Sequence, residues 1–296
     1  MAVYVAGGNH ETPGEVTELG RVHGIDAAET ARVIIGEEFA VALLPWPRRA
    51  SVAVWLEELT GIPPTPEAIT AGAVENLRDV LREMGRQLAA APAHLPRVLL
   101  GHVELSGAKT DPDQPAMMGS GIKLSIEDLM LAGADVVCLS HVHLPQDWTA
   151  IRSDGVTVPI IYAGSPRRTA YASGETIEKS YVVLTFEGRA LTWERVPTPA
   201  TDMRLLNATW SAEGTDGFWR LCFDEGFAVE SGMELRLRYT CGADQREAAD
   251  ASARALADRW LSAGAAEVKL EFAPAPTTRA RAPEVAAAPT DRKSVV

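Results

Sequence analysis

The chain has 296 residues, 46% of them hydrophobic, and a formal net charge of -12. That length suits one large α/β domain with a small second one. No apolar run reaches the ~18 residues of a membrane span, and the opening MAVYVAGGNHE lacks the parts of a signal peptide. The acidic balance excludes a chain that holds nucleic acid by bulk charge alone, although bound divalent cations or a basic partner can supply local positive charge.

The first run, VYVAG, reads as a buried strand leading into a loop from Gly7 to Gly14, and Glu15 to His23 as a short helix. ARVIIG and FAVALLPWP are strand candidates, the second ended by Pro45 and Pro47, and SVAVWL is a third. Over Pro66 to Ala91 the apolar residues Ile69, Val74, Leu77, Val80, Leu81, Met84 and Leu88 recur at helical spacing. RVLLGHVE reads as a strand, and a Gly/Pro/Asp-rich loop follows from Ser106 to Gly121. Ser125, with Asp128 three residues on, caps a short helix, IEDLMLAG. ADVVCLSHVH, VPIIYAG, SYVVLTFE and ALTWERV read as strands. The pattern is mixed α/β with a strand-rich second half.

PTPAT near Pro197 to Thr201 reads as a linker. Beyond it, FWRLCFD and MELRLRYT, a helix from about Gln245 to Leu261, and the strand EVKLEFA make a small β-β-α-β unit. From Pro274 the composition is Ala/Pro/Thr/Arg-rich and predicts disorder. The final DRKSVV reads as translated sequencing adapter, with a natural basic tail as the alternative. Domains are therefore expected at 1–198, 199–273 and 274–296, with 291–296 set aside. Cys138, Cys222 and Cys241 form no CxxC pair, which predicts reduced, mostly buried thiols in a cytosolic protein.

Four of the six histidines follow apolar strand-like runs. VYVAG precedes Gly8-Asn9-His10-Glu11, RVLL precedes Gly101-His102, and VVCL precedes Ser140-His141-Val142-His143. Ligand sites of α/β sheets lie beyond the carboxyl ends of strands, so these loops are expected to converge. On an extended segment His141 and His143 would present both imidazoles on one side. Histidine and asparagine with carboxylates suit manganese, iron or zinc rather than a thiolate-bound metal. Taken singly, a His-x-His is more often structural and Gly-Asn-His-Glu can be only a turn. His102 alone says little, and His23 and His94 read as surface residues. The ordered set, each motif behind a strand and followed by YAGSP, carries the weight.

That set resembles the calcineurin-like metallophosphoesterases, whose motifs run DxH, GDxxD, GNH(D/E), H and GHxH. Within them it is most similar to the SbcD nuclease subunit family, through GHVELSGAK, YAGSPRRTAYAS and the GMELRLRYT strand, over roughly residues 3 to 273. The resemblance implies an α/β sandwich of two mixed β-sheets flanked by helices, with its first strands missing and a small α+β cap. It implies two divalent ions, manganese foremost, that clamp a phosphodiester for in-line attack. By position, Asn9, His102 and His141 would ligate one ion and His143 the other. His10 would protonate the leaving oxygen or stabilise the transition state, with Glu11 orienting it. DNA, an SbcC-like SMC-type ATPase and a second copy are the implied partners, in the cytoplasm. Two departures stand out: Ser140 replaces the glycine of GHxH, and the chain contains no Asp-any-His triplet. The resemblance therefore implies an N-terminally truncated chain, inactive by itself. A general or cyclic-nucleotide phosphodiesterase and a degenerate non-catalytic binding subunit are the alternatives. Trp219, Arg220, Arg236 and Arg238 of the cap read as core packing and ordinary surface charge.

Overall fold

A computed structural model describes residues 2–110, 122–168, 171, 178–212, 218–221 and 227–273, the span 218–221 by its backbone alone. The expected disordered tail and Cys222 lie outside the described residues, as do the side chains of Trp219 and Arg220. The chain divides into two units, Met1–Asp202 and Met203–Val296.

The first unit runs β1 (Tyr4–Ala6), α1 (Glu15–His23), β2 (Asp26–Ala28), β3 (Arg32–Ile35), β4 (Ala40–Leu44), α2 (Arg49–Thr60) and α3 (Pro66–Ala90). It continues β5 (Arg97–His102), β6 (Glu104–Leu105), β7 (Lys123–Leu124), α4 (Ile126–Met130) and β8 (Val136–Ser140). It ends with β9 (Gln146–Ile151), β10 (Thr157–Tyr162), β11 (Ser180–Glu187) and β12 (Ala190–Pro197). The fold is mixed α/β. Its main sheet has six strands in the order β3-β4-β5-β8-β10-β9. The four central strands are parallel and the two edge strands antiparallel to their neighbours.

β4 shows why this sheet lies inside. All five residues of Ala40–Leu44 are buried, as expected of a parallel strand covered on both faces. Ala40, Ala42 and Leu44 face α3, whose Ala73, Leu77, Leu81, Met84 and Leu88 form one stripe at helical spacing. Val41 and Leu43 face the other way, onto Tyr4, Ala6 and Ala28 of the β1–β2 ribbon. α3 begins where Pro66 follows Thr65, whose side chain accepts the Ala68 N–H at 3.2 Å. α4 carries the expected capping box between Ser125 and Asp128. The two helices approach so closely that a Cβ on Gly85 would collide with the Leu131 carbonyl oxygen.

SVAVWL is not a strand. It lies in α2, which closes on left-handed Gly61 with the Gly61 N–H on the Glu57 carbonyl at 2.7 Å. Local β-branched residues lose here to tertiary anchors. Arg49 donates to Thr70 Oγ1 and the Pro66 carbonyl, each at 3.0 Å, and Leu56 lies against Gly72 of α3. β9 was also not expected: QDWTAI carries little apolar signal and is a strand because it pairs with β10 along six residues.

The second unit holds β13 (Met203–Ser211), β14 (Phe218–Leu221), β15 (Glu234–Thr240), α5 (Arg246–Ser262) and β16 (Glu267–Phe272), with sheet order β14-β13-β15-β16. β13 is an addition to the expected β-β-α-β unit. Ala249, Ala253, Leu256 and Trp260 of α5 pack with Leu206, Ala208, Leu235 and Leu237. Arg238 forks onto Glu271 at 3.0 and 3.3 Å, and Arg236 reaches the same carboxylate at 3.8 Å.

At the entry of β8 the first unit buries a charge. Asp135 is 6% exposed. It accepts the Arg97 N–H at 2.9 Å, Arg152 Nη1 at 3.2 Å and the Arg189 guanidinium. Burial pushes its carboxyl pKa up, but the Arg189 bonds, the Arg97 N–H and Arg152 outweigh this and hold it below the usual range. A carboxyl depressed in the folded state stabilises above its unfolded pKa, and that contribution is lost as pH falls through the folded one. Asp135→Asn should cost about 2–4 kcal/mol at neutral pH by leaving arginines unpaired, with the difference from wild type closing at acid pH. Urea titrations of both proteins at neutral and acid pH check this; an equal gap at both would refute it.

Candidate functional site

The parallel strands bring their carboxyl ends to one edge of the sheet. In register, Leu44 pairs with Gly101 and His102 with Ser140. Trp46, His102 and His141 therefore emerge side by side. β1 delivers Gly8-Asn9-His10-Glu11 to the same edge, where the Trp46 N–H bonds the Gly7 carbonyl at 2.9 Å. Arg48 Nη2 bonds the Glu11 carbonyl at 3.2 Å.

Asn9 is the meeting point. Its Oδ1 lies 2.9 Å from His102 Nε2 and 3.3 Å from His141 Nδ1. The two imidazoles stand edge-on with centroids 5.4 Å apart, and the Trp46 indole lies 4.5 Å from the His141 ring, tilted by 33°. Gly8 permits this approach: a Cβ there would meet His102 Cε1 at 2.8 Å. Burial lowers the His102 pKa to about 4, with help from His141, His10 and His143. Burial lowers that of His141 too, opposed by Glu104 and assisted by His143 and His10. His10 and His143 thus lie within electrostatic reach of both rings.

His102 is the last residue of β5 rather than a loop residue. The His-x-His segment is not extended as expected. β8 ends at Ser140, and His141 has φ 94, the one left-handed residue other than glycine among the described residues. That conformation costs about 1–3 kcal/mol and is found where a site over-determines it. It turns Val142 into the core and leaves the His143 carbonyl to accept the Ser165 N–H at 3.1 Å. Asn9 is half-buried and His10 exposed. The Glu11 carboxylate has a different partner from the expected His10: it accepts the Gly8 N–H at 2.7 Å, closing the turn.

Two residues near this edge escaped the sequence reading. Trp46 walls the His141 ring. Glu104 is two residues from His102 and ion-paired with Lys123 at 2.7 Å; its i, i+2 spacing was the available signal. Ser165 lies in the YAGSP segment that the sequence marked without giving it a role; it is buried, and its hydroxyl has no hydrogen-bond partner among the described residues. Outside the site, burial raises the half-buried Cys138 thiol to about 12, leaving it unreactive.

Among the described residues no three His, Cys, Asp or Glu side chains form a ready-made cation cage. The converged donors are two imidazoles and one amide oxygen. Both imidazoles are neutral at physiological pH, the form that offers a lone pair to a metal. The donor spacings of 2.9 and 3.3 Å match edges of a shell with bonds of about 2.1 Å. Two neutral imidazole nitrogens and an amide oxygen are a donor set of the kind that suits a divalent ion. No family model matches the chain, and no curated protein does.

The strain at residue 141 can be measured. His141→Gly should unfold at higher denaturant than His141→Ala by about 1 kcal/mol, because only glycine accepts this φ without penalty. Equal stabilities would mean that the left-handed turn is not held in solution.

Proposed function

We propose that the first unit is a calcineurin-like phosphoesterase domain with the second unit as its cap, and that the protein serves as the phosphodiesterase subunit of an SbcD-like DNA-repair nuclease. The supporting observation is the convergence of Asn9 Oδ1, His102 Nε2 and His141 Nδ1 from three separate chain segments. In this reading Asn9, His102 and His141 hold one divalent ion, manganese foremost, and His143 contributes to a second; such ions supply positive charge to a phosphate under attack. Trp46 holds the His141 ring in place, and Gly8 lets His102 close on Asn9. His10, exposed at the rim, donates the proton that the departing sugar oxygen needs. The second ion would need ligands beyond His143, and no Asp-any-His triplet occurs in these 296 residues to supply them.

A small phosphodiester as substrate is the second reading, favoured by the net charge of -12, which repels a polyanion. For partners, Val54, Trp55, Leu59 and Ile62 leave an apolar surface in and just beyond α2, each more than 40% exposed. Such a patch suits self-association. No helix among the described residues is long and apolar enough to cross a membrane.

After dialysis against manganese, the chain should retain fewer than two tightly held ions. Asn9→Ala and His141→Ala should retain less still, and His10→Ala as much as wild type. With a segment carrying DxH and GDxxD fused ahead of Ala2, linear duplex DNA should be cleaved. His10→Ala should then slow turnover about 10²–10⁴-fold. Metal loss in His10→Ala equal to that in His141→Ala would overturn the division of roles, and hydrolysis of a small diester without DNA cleavage would move the function to the second reading. In sedimentation, Leu59→Asp should shift the chain toward monomer; an unchanged state would remove α2 from the interface.

A further inference from the structure

Beyond His102 the chain leaves the main sheet. β5 pairs with β8 as far as His102 opposite Ser140, where β8 ends. Val103 and Leu105 are buried in the core beneath α3. On the β7 side the Ser106 N–H bonds the Leu124 carbonyl at 2.8 Å. Backbone groups alternate in direction along a strand, so those of Val103 and Leu105 point the other way. One phenol meets both. The Tyr162 hydroxyl donates to the Val103 carbonyl at 2.7 Å and accepts the Leu105 N–H at 2.9 Å.

That hydroxyl comes from β10, which β8 separates from β5. Tyr162 is fully buried, and its ring stands edge-on to Trp148 with centroids 6.0 Å apart. Burial pushes its pKa up, so the phenol keeps the proton it donates. Buried peptide groups need partners, and here two of them depend on one side chain. The two bonds flank Glu104, which pairs with Lys123 and acts electrostatically on His141. They begin one residue past His102, whose Nε2 lies 2.9 Å from Asn9 Oδ1. We propose that Tyr162 is a positioning residue of the candidate site: by fixing the path of the chain out of β5, its hydroxyl holds the His102 imidazole against Asn9 and His141. The consequence for a bound cation rests on the phosphoesterase reading above; the placement of the rings does not.

Three full-length chains test this. Tyr162→Phe keeps the ring and loses the hydroxyl, and Asp135→Asn weakens the same unit at the opposite end of the sheet. In metal-free wild type and Asp135→Asn, the nuclear Overhauser contact between the His102 and His141 rings should be present, and Tyr162→Phe should lose it. Co(II), followed by its visible absorption, should bind Tyr162→Phe about 10–100-fold more weakly than wild type and Asp135→Asn as tightly as wild type. An intact ring contact in Tyr162→Phe overturns the proposal. So does an equal loss in Asp135→Asn, which would make the effect one of stability alone. A wild type that takes up no Co(II), beside a Tyr162→Phe chain that still loses the ring contact, would refute the cation reading and sustain the positioning role. If Tyr162→Phe does not fold, hydrogen exchange in wild type decides: the Leu105 amide should be slow, and fast exchange there overturns the proposal.

Discussion

The pairing register of β5 with β8 is the constraint on which the site depends. It sets His102 opposite Ser140, and His141 follows at once. A slip of one residue would turn every side chain of a strand to the other face. Leu99, Val137 and Leu139 would leave the α3 core, and Val98, Leu100 and Cys138 would enter it. The apolar pattern of two buried strands thus fixes the distance between two imidazoles far apart in sequence. Only Asn9, arriving on its own short ribbon, has to be positioned separately. The bonds from Trp46 to Gly7 and from Arg48 to Glu11 do that.

The polar groups at the two ends of the sheet are handled in opposite ways. At the entry of β8, Asp135 is charged, buried and saturated by arginine and a backbone N–H. This end ties β5, β8, the turn after β9 and the β11–β12 turn together. At the carboxyl ends, His102 is half-buried, His141 is buried, both are neutral, and His141 holds a backbone conformation that local preference opposes. Stability concentrates where charges are matched, and strain is tolerated where donor atoms converge.

Much of this was readable in the chain. Long periodicity gave α3, a Ser-x-x-Asp signal gave α4, and Glu15–His23 appeared as α1. The residues that meet at Asn9 were found because each follows an apolar run ended by glycine or serine. What stayed hidden depended on partners distant in sequence. SVAVWL has strand-like composition, yet its anchors lie on α3. β9 exists through β10, and β13 through β14 and β15. Trp46 sits between two prolines, a context that reads as a turn, and its relation to His141 spans 95 residues of chain. The left-handed His141 opposes the preference of its own residue type, so no propensity argument reaches it.

The charge balance bears on how such a site could handle a phosphodiester. The chain carries -12 formally, and Arg78 and Arg82 of α3 and Arg152 and Arg189 at the entry end of the sheet are paired with carboxylates. The convergent donors add no positive charge, because burial keeps both imidazoles neutral. Protonating them to attract a phosphate would work against the desolvation that lowers their pKa. Neutral donors in an acidic chain are therefore poor anion binders by themselves and good cation binders. Under the proposed function, attraction for phosphate arrives with the cation rather than with the protein. Substrate affinity would then follow metal occupancy instead of the ionisation of His102 or His141.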